Sequence, residues 1–510
     1  MKFGLSKRDW LIVLIFALVK FCFHLSIANN YELHRDALLY YSLGQHLDWG
    51  FISVPPLIGV VGRVATWLFG THAFALRFFP ALVGSLSIVL IALLVKSLGG
   101  RRTAMLMAMA AYLFSPVYLR TNSLFQPVAF NQFFWLLSAF IAVQLIRFKN
   151  QKLWILLFFC FGLGFMNKYA IAFFMAGFFI ALLISQHRKL LFSRYFVAGC
   201  FLFLAIVAPN LVWQANHNWP VIYHMTELQR TQLIHVTLSG FLLSQLLMNI
   251  QALIVWVAGL TGFLVFKKYR SYRFLSVLVL ITIAILLILR GKDYYTLGLY
   301  PVLFAMGGVV IEEKLHRKIE YAILALVVMI SIPIIPINVP LLHYDQLRAY
   351  TEPVAPFINR WEDGEVHDIP QDFADMTGWK QLGDIVVRQY TELSVEEQQN
   401  CVIFADNYGM AGAIQYYGHS HGLPDPICFN DSFILWAPDS VRNQSLIYVN
   451  HELGEDVEQT YDSCRLVGQV DNPYFRENGL KVFYCSGPSD TLYAYYAKRV
   501  ASFKSRYRKM

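Results

Sequence analysis

Hydrophobic positions fill the first two thirds of the chain in long runs that charged residues rarely interrupt. A helix needs about 20 apolar residues to cross the hydrocarbon core of a bilayer. By this measure we identify about 11 candidate spans, of which the third and fifth are short: 9–28, 74–98, 102–117, 129–147, 152–166, 168–186, 193–213, 242–266, 272–290, 294–311 and 319–340. The pattern predicts a polytopic α-helical membrane protein.

The pattern changes at about residue 341, where charged residues, Gly, Pro and Asn become frequent and the long apolar runs end. Four short runs rich in β-branched and aromatic residues are typical of strands: CVIFAD, SLIYVN, CRLVGQV and KVFYC. Two other stretches, GDIVVRQYTEL and TLYAYYAKRVASF, have helical spacing. We therefore expect a transmembrane domain at 1–340 and a soluble α/β domain at 341–510.

The segment 29–73, between the first two candidate spans, has a third kind of pattern. Asp36, Tyr40, Leu43 and Leu47 recur at helical spacing, and PPLIGVVGRVATWLFG forms a second amphipathic stretch. Amphipathic helices of this kind lie in the plane of the membrane surface. The segment is thus predicted to be a loop with interfacial helices.

Composition agrees with a membrane protein, because 57% of residues are hydrophobic and only 15% are charged, against about a quarter in soluble domains. The net charge of +9 comes without any soluble basic domain, which argues against nucleic-acid binding. Basic clusters such as Arg101/Arg102 and Lys267/Lys268 occur in alternate loops, as the positive-inside rule requires. An odd number of spans then places 341–510 outside the cytoplasm.

Four of the seven cysteines lie beyond residue 341: Cys401, Cys428, Cys464 and Cys485. An even number in an oxidising compartment indicates disulfides. Cys464 begins one strand-like run and Cys485 ends another, with a turn-rich stretch between them. We predict a hairpin with a Cys464–Cys485 bond, which leaves Cys401 to pair with Cys428.

The residue with the most chemical interest is Asp36, just past the first span. A carboxylate at the boundary between lipid and water is suited to be a base that joins a lipid-linked substrate to a water-soluble one. On residue chemistry alone a structural role is favoured over catalysis, because Asp36 is also suited to cap the helix or to pair with Arg35.

The stretch RDALLYYSLGQHLDWGFISVPPL resembles the first outer loop of the dolichyl-phosphate-mannose-protein mannosyltransferase superfamily. These are polyprenyl-phosphate-sugar glycosyltransferases with the GT-C fold, and they include the enzymes that attach aminoarabinose to lipid A. GLGFMNKYAIAFF (162–174), GKDYYTLGLYPVLFAMGG (291–308) and NYGMAGAIQYYGHSHGLP (407–424) extend the resemblance in the same order along the chain.

The resemblance implies an inverting hexosyl- or pentosyltransferase in which the acidic residue, here Asp36, is the general base. The donor would be a sugar on a polyprenyl phosphate, and the setting a bacterial inner membrane with an envelope acceptor on the periplasmic side. Basic and tyrosine side chains near the outer ends of spans are candidates for binding the substrates, with Lys292 favoured for the phosphate: Arg35, Tyr40, Lys168, Arg290, Lys292, Tyr294 and Tyr295. The chain departs from the family at Val128 and Asn131, where many members have a second Asp, and at Val54, where a basic residue or His is common.

Two other functions remain open: a transporter or flippase of lipid-linked sugars, and a non-catalytic binding or scaffold protein of the envelope. A transporter would require charged residues inside its spans, and the spans here look nearly charge-free away from their ends. His419 and His421 lack a third ligand at clear spacing, so we expect no metal and no other cofactor.

Overall fold

The structure, a computed structural model, describes residues 4–231 and 237–507. The chain forms two compact units, each built from separate parts of the sequence. The first comprises Met1–Ala28, Arg77–Leu211 and Met225–Val339, and the second comprises Asn29–Leu76, Val212–His224 and Pro340–Met510. The segment after the first span thus belongs to the same unit as the C-terminal residues.

The chain up to residue 340 is helical, apart from short connections. In chain order its α-helices are α1 (Lys7–Ser26), α2 (Arg35–Gln45), α3 (Leu57–Phe69), α4 (Ala73–Ser97), α5 (Arg102–Leu113), α6 (Pro116–Ser123), α7 (Pro127–Phe148), α8 (Leu153–Asn167), α9 (Ile171–Leu183), α10 (Arg194–Asn216), α11 (Pro220–Thr231), α12 (Leu238–Leu247), α13 (Leu253–Val265), α14 (Arg273–Ile288), α15 (Tyr300–Lys314) and α16 (Arg317–Ser331).

Each candidate span overlaps one of these helices, except that 102–117 runs from α5 into α6 and 242–266 covers the pair α12 and α13. Within the described ranges, five helices are both long and apolar enough to cross a membrane, or six if the pair α12–α13, bent by 66°, forms one span. Others are shorter than a bilayer requires, because the chain breaks at points such as Ser115-Pro116. The protein is multi-pass, and the number of about 11 spans stays a prediction.

Small residues let the helices of the first unit approach closely. A Cβ on Gly259 of α13 would collide with the backbone of Leu303, and one on Gly307 of α15 with that of Val255. Such contacts are common where membrane helices pack. Large aromatic side chains such as Trp135 and Trp154 fill the core of this unit.

Lys20 is an exception to the expectation that the spans lack charge away from their ends. It lies within α1, is fully buried, donates a hydrogen bond to the Tyr118 carbonyl at 3.3 Å and stands 4.9 Å from the Tyr112 ring centroid. His24, one turn later, contacts the carbonyl of Leu119 at 3.0 Å. These contacts join α1 to α5 and α6.

The second unit adds shorter helices and a sheet. Its remaining α-helices are α17 (Tyr344–Thr351), α18 (Ala355–Ile358), α19 (Gln371–Ala374), α20 (Trp379–Thr391), α21 (Val395–Gln399), α22 (Tyr408–Gly418), α23 (Phe433–Trp436), α24 (Glu455–Glu458) and α25 (Asp490–Lys504). Its strands are β1 (Cys401–Ala405), β2 (Ser445–Asn450), β3 (Tyr461–Gln469) and β4 (Lys481–Pro488).

The four strand-like runs of the sequence are these four strands, in the sheet order β1-β2-β4-β3. β1 and β2 are parallel, whereas β4 is antiparallel to both of its neighbours. Cys464 lies directly opposite Cys485 in the β3–β4 register, and the two form a disulfide.

The expected bond between Cys401 and Cys428 is wrong, since both are free thiols. Cys401 begins β1, whereas Ile427, beside Cys428, pairs with Phe404 near the end of that strand. Three residues of strand span about 10 Å, which exceeds the reach of a disulfide. Each cysteine is buried where it stands.

Candidate active site

The second unit holds Asp36 in the first turn of α2. The cap of this helix is His34, whose side chain accepts a hydrogen bond from the backbone N–H of Asp36 at 3.1 Å. His34, and not Asp36, therefore caps this helix, and the Asp36 carboxylate makes a different contact. α2 ends at Gln45, so Asp36, Tyr40 and Leu43 share the helix and Leu47 lies beyond it.

The Asp36 carboxylate is half-buried and accepts a hydrogen bond from the phenol of Tyr408 at 2.9 Å. The Arg35 guanidinium lies over the face of the same phenol, 4.6 Å from its centroid. Burial, together with the negative charge of Asp36, raises the pKa of Tyr408 well above its ordinary value. Tyr408 therefore stays protonated at neutral pH and acts as a donor to the carboxylate.

Tyr408 is positioned by the turn that leads from β1 into α22. Asn407 caps α22 by accepting hydrogen bonds from the N–H groups of Gly409 and Met410. α22 packs against α2, and its glycines permit the close approach, because a Cβ on Gly412 would meet the backbone of Leu38 at 2.9 Å. The motif NYGMAGAIQYYG thus forms the helix against which α2, the helix of Asp36, packs.

The start of α2 is fixed by a buried carboxylate. Asp375 lies 3.7 Å from His34 and 3.4 Å from Arg476, and its backbone carbonyl accepts from the N–H of Arg35 at 3.0 Å. Burial raises the pKa of Asp375 above its ordinary value, and the charges of His34 and Arg476 oppose that shift. These contacts hold His34 and Arg35, the two residues that precede Asp36, in place.

The first unit holds a separate cluster of basic and aromatic side chains. The ammonium of Lys168, at the end of α8, lies 5.3 Å from the ring centroid of Tyr294 and 4.9 Å from that of Tyr295. Lys292 lies 6.0 Å from the Tyr294 ring. Arg290 is exposed and contacts neither ring. Two cations thus flank a pair of tyrosines, an arrangement suited to a phosphate headgroup.

The positions where the chain departs from its resembled family are also visible. Asn131 is buried in α7, and its carbonyl oxygen has no hydrogen-bond partner among the residues that the structure describes. Val54 is buried as well. Within the described ranges, no three His, Cys, Asp or Glu side chains form a group that could hold a metal ion.

Tyr408 was not among the candidate residues that the sequence singled out. It stands 372 positions from Asp36, and no local pattern links the two. The available signal was the resemblance of the motif at 407–424, which contains Tyr408 but does not assign it a partner. In the structure, the glycines of this motif serve helix packing.

The chain is similar to known proteins both in sequence and in fold. Residues 53–213 match the family described as dolichyl-phosphate-mannose-protein mannosyltransferase. The lipid A galacturonosyltransferase RgtD of Rhizobium johnstonii is 26% identical over 195 residues, which cover 38% of this chain and 41% of that protein. The match therefore spans less than half the length of this relative.

Two crystal structures of ArnT from Cupriavidus metallidurans share the fold. The one bound to undecaprenyl phosphate has a TM-score of 0.63 at 14% identity and covers 95% of this chain and 100% of its own. The apo structure has a TM-score of 0.61 at 13% identity and covers 94% of this chain and 99% of its own. The chain therefore shares the GT-C fold of the ArnT structures over nearly its whole length, and residues 53–213 match the mannosyltransferase family model.

Proposed function

We propose that the protein transfers a sugar from a polyprenyl phosphate to a hydroxyl group outside the cytoplasm, with Asp36 as general base. The observation that carries the proposal is the half-buried Asp36 carboxylate held by the Tyr408 phenol in a GT-C fold. Tyr408 occupies Oδ1 of the carboxylate. A carboxylate has about four acceptor positions, so the bond to Tyr408 does not by itself prevent Asp36 from taking a proton from the substrate hydroxyl.

In the proposed reaction, Asp36 takes a proton while one bond to the anomeric carbon forms and another breaks. The acceptor oxygen attacks the anomeric carbon as its proton passes to Asp36, and the bond from that carbon to the phosphate oxygen breaks. The electron pair leaves with the lipid phosphate, whose negative charge requires cations. Displacement from the side opposite the phosphate inverts the anomeric configuration.

The Lys168–Lys292 cluster is the proposed site for that phosphate. Its two ammonium groups and two phenols offer charge-assisted hydrogen bonds, which stabilise a bound anion by roughly 1.5–3 kcal/mol each. The relatives support the choice of donor class, since one ArnT structure contains undecaprenyl phosphate. We place the protein in a bacterial inner membrane with residues 341–510 on the periplasmic side.

Asp36→Asn tests the proposed base. Membranes from a strain lacking the protein supply both donor and acceptor, and added purified protein should release free polyprenyl phosphate. Asp36→Asn should lower the release rate by at least about a hundredfold, because a general base contributes roughly 10²–10⁴ in rate. The matched control is Asp48→Asn in the same loop, whose carboxylate accepts from the Trp213 indole at 2.7 Å.

The same assay separates the rival functions. A flippase or a scaffold protein releases no polyprenyl phosphate, with or without Asp36. Wild-type release by Asp36→Asn would show that another group is the base.

Lys168→Ala and Lys292→Ala test the donor site. Each should weaken binding of a short-chain polyprenyl phosphate by about tenfold or more, which corresponds to one lost charge-assisted contact. Lys189→Ala, an exposed lysine in the connection after α9, should leave the dissociation constant unchanged. Equal affinities in all three variants would mean that Lys168 and Lys292 only anchor the helices at the membrane surface.

A further inference from the structure

The second unit carries a pocket that the proposed chemistry does not use. Its cavity volume is about 320 Å³, within the range of small-molecule sites. The wall is formed by His46 and by segments of β1 and of residues 424–442. His46 caps the C-terminal end of α2, so ten residues of helix, or about 15 Å, separate the pocket from Asp36.

Trp436 gives the pocket a flat aromatic wall. The His46 imidazole stacks on it with ring centroids 4.4 Å apart and planes 7° apart. The indole Nε1 is buried and finds no acceptor among the described residues. An indole N–H only donates, and an unpaired buried donor costs about 1–3 kcal/mol. A bound molecule with an acceptor oxygen would satisfy it.

Gln415 holds two of the polar side chains that line the pocket. It is 7% exposed, and its amide nitrogen contacts Asp425 at 2.7 Å and His46 at 3.3 Å. Both of these partners line the pocket, so the contact fixes their positions. The unpaired Trp436 N–H then stands in the same lining as an Asp425 carboxylate, and hydroxyl groups match this pair because they both donate and accept.

The charges of the pocket favour an anion with hydroxyl groups. Asp425 is held by His46 at 3.1 Å, and that hydrogen bond lowers the pKa of Asp425. Its carboxylate stays ionised and retains lone pairs for a ligand hydroxyl. Arg442 also lines the pocket, is exposed, and forms no ion pair with any described residue. Arginine is the side chain best shaped to bind a carboxylate or a phosphate through two hydrogen bonds.

We propose that this pocket binds an acidic sugar, a saccharide ring that carries a carboxylate or a phosphate, as part of the acceptor. The inference rests on the proposed function and specifies the class of its acceptor. The ring would pack on the wall formed by Trp436 and nearby prolines, its hydroxyls would meet the Trp436 N–H and Asp425, and its anion would pair with Arg442. A neutral sugar leaves Arg442 unpaired, and a free phosphate leaves the aromatic wall unused.

Calorimetry on the full-length protein in lipid nanodiscs tests the pocket without turnover. The probes are galacturonic acid, glucose 6-phosphate, glucose and inorganic phosphate. We expect one or both acidic sugars to bind at least tenfold more tightly than glucose or phosphate, and the stronger of the two identifies the anion. Arg442→Ala should remove that advantage and Arg442→Lys should keep part of it, whereas Arg388→Ala, an exposed arginine of α20 outside the pocket, should change nothing.

A second variant checks the aromatic wall. Trp436→Phe keeps an aromatic ring but loses the N–H, so it should weaken binding of the acidic sugar severalfold. The proposal is overturned if no acidic sugar binds, if glucose or phosphate binds as tightly, or if Arg442→Ala binds like the wild type. Asp36→Asn should bind the probes normally, so a failed binding test and a failed transfer test remain distinct results.

Discussion

At the residue scale, the proposed site contains one hydrogen bond between distant parts of the chain. The sequence singled out Asp36, because a carboxylate just past a span is unusual and matches a family pattern. The motif that contains Tyr408 was noted for its resemblance, but its contact with Asp36 could not be predicted, because the phenol reaches Asp36 only after α22 packs on α2. The cap formed by His34 was also missed, since histidine is not among the preferred cap residues.

Tyr408→Phe should lower the transfer rate by about tenfold or more while leaving the fold intact. The substitution removes the hydrogen bond to the Asp36 carboxylate, worth roughly 1.5–3 kcal/mol, and keeps the ring beneath Arg35. The measurement is the rate of polyprenyl phosphate release at saturating donor. The control is Tyr495→Phe, which removes a similar 2.8 Å bond to Asp456 elsewhere in the unit and should leave the rate unchanged. A normal rate in Tyr408→Phe would show that the hydrogen bond between Tyr408 and Asp36 contributes to packing and not to transfer.

At the element scale, periodic sequence patterns predicted the helices and strands well. They did not predict the contacts between these elements. The strand-like runs at 401–406 and 445–450 form strands, because β-branched and aromatic side chains pack well on the surface of a sheet. The α2–α22 contact joins segments far apart in the sequence, and only the absence of side chains at Gly409 and Gly412 hinted at it.

Gly412→Ala tests whether this contact positions the base. The new Cβ would meet the backbone of Leu38 at 2.9 Å, which cannot move as a side-chain tip can, so α2 must shift. We expect a loss of about 1–3 kcal/mol in stability and slower transfer, measured by thermal unfolding and by polyprenyl phosphate release. The control is Gly418→Ala on the same helix, whose new Cβ meets the side chain of Leu423 and not α2, so it should leave the transfer rate unchanged. If Gly412→Ala kept wild-type stability and rate, α22 would not fix the position of Asp36.

At the scale of the whole molecule, the GT-C fold was predictable from the order of several motifs along the chain, whereas the division into units was not. Hydropathy separates apolar from polar segments, so it divided the chain near residue 340. It cannot show that 29–76 packs with the C-terminal residues, since that depends on contacts such as His34–Asp375. The number of spans is equally beyond hydropathy, because broken helices such as the pair α12–α13 have the same composition as straight ones.

The disulfide provides a test of the orientation of the molecule. If residues 341–510 lie outside the cytoplasm, Cys464 and Cys485 are oxidised there, because a bacterial periplasm forms disulfides and a cytoplasm keeps thiols reduced. Alkylation of the denatured, unreduced protein should then label five thiols: Cys22, Cys160, Cys200, Cys401 and Cys428. Reduction before alkylation should raise the mass by two further labels, and a Cys464→Ala/Cys485→Ala variant should abolish that increase. Seven labels without reduction would mean that residues 341–510 lie in a reducing compartment. Three labels would mean that Cys401 and Cys428 are also bonded, although the length of β1 separates them by more than a disulfide spans.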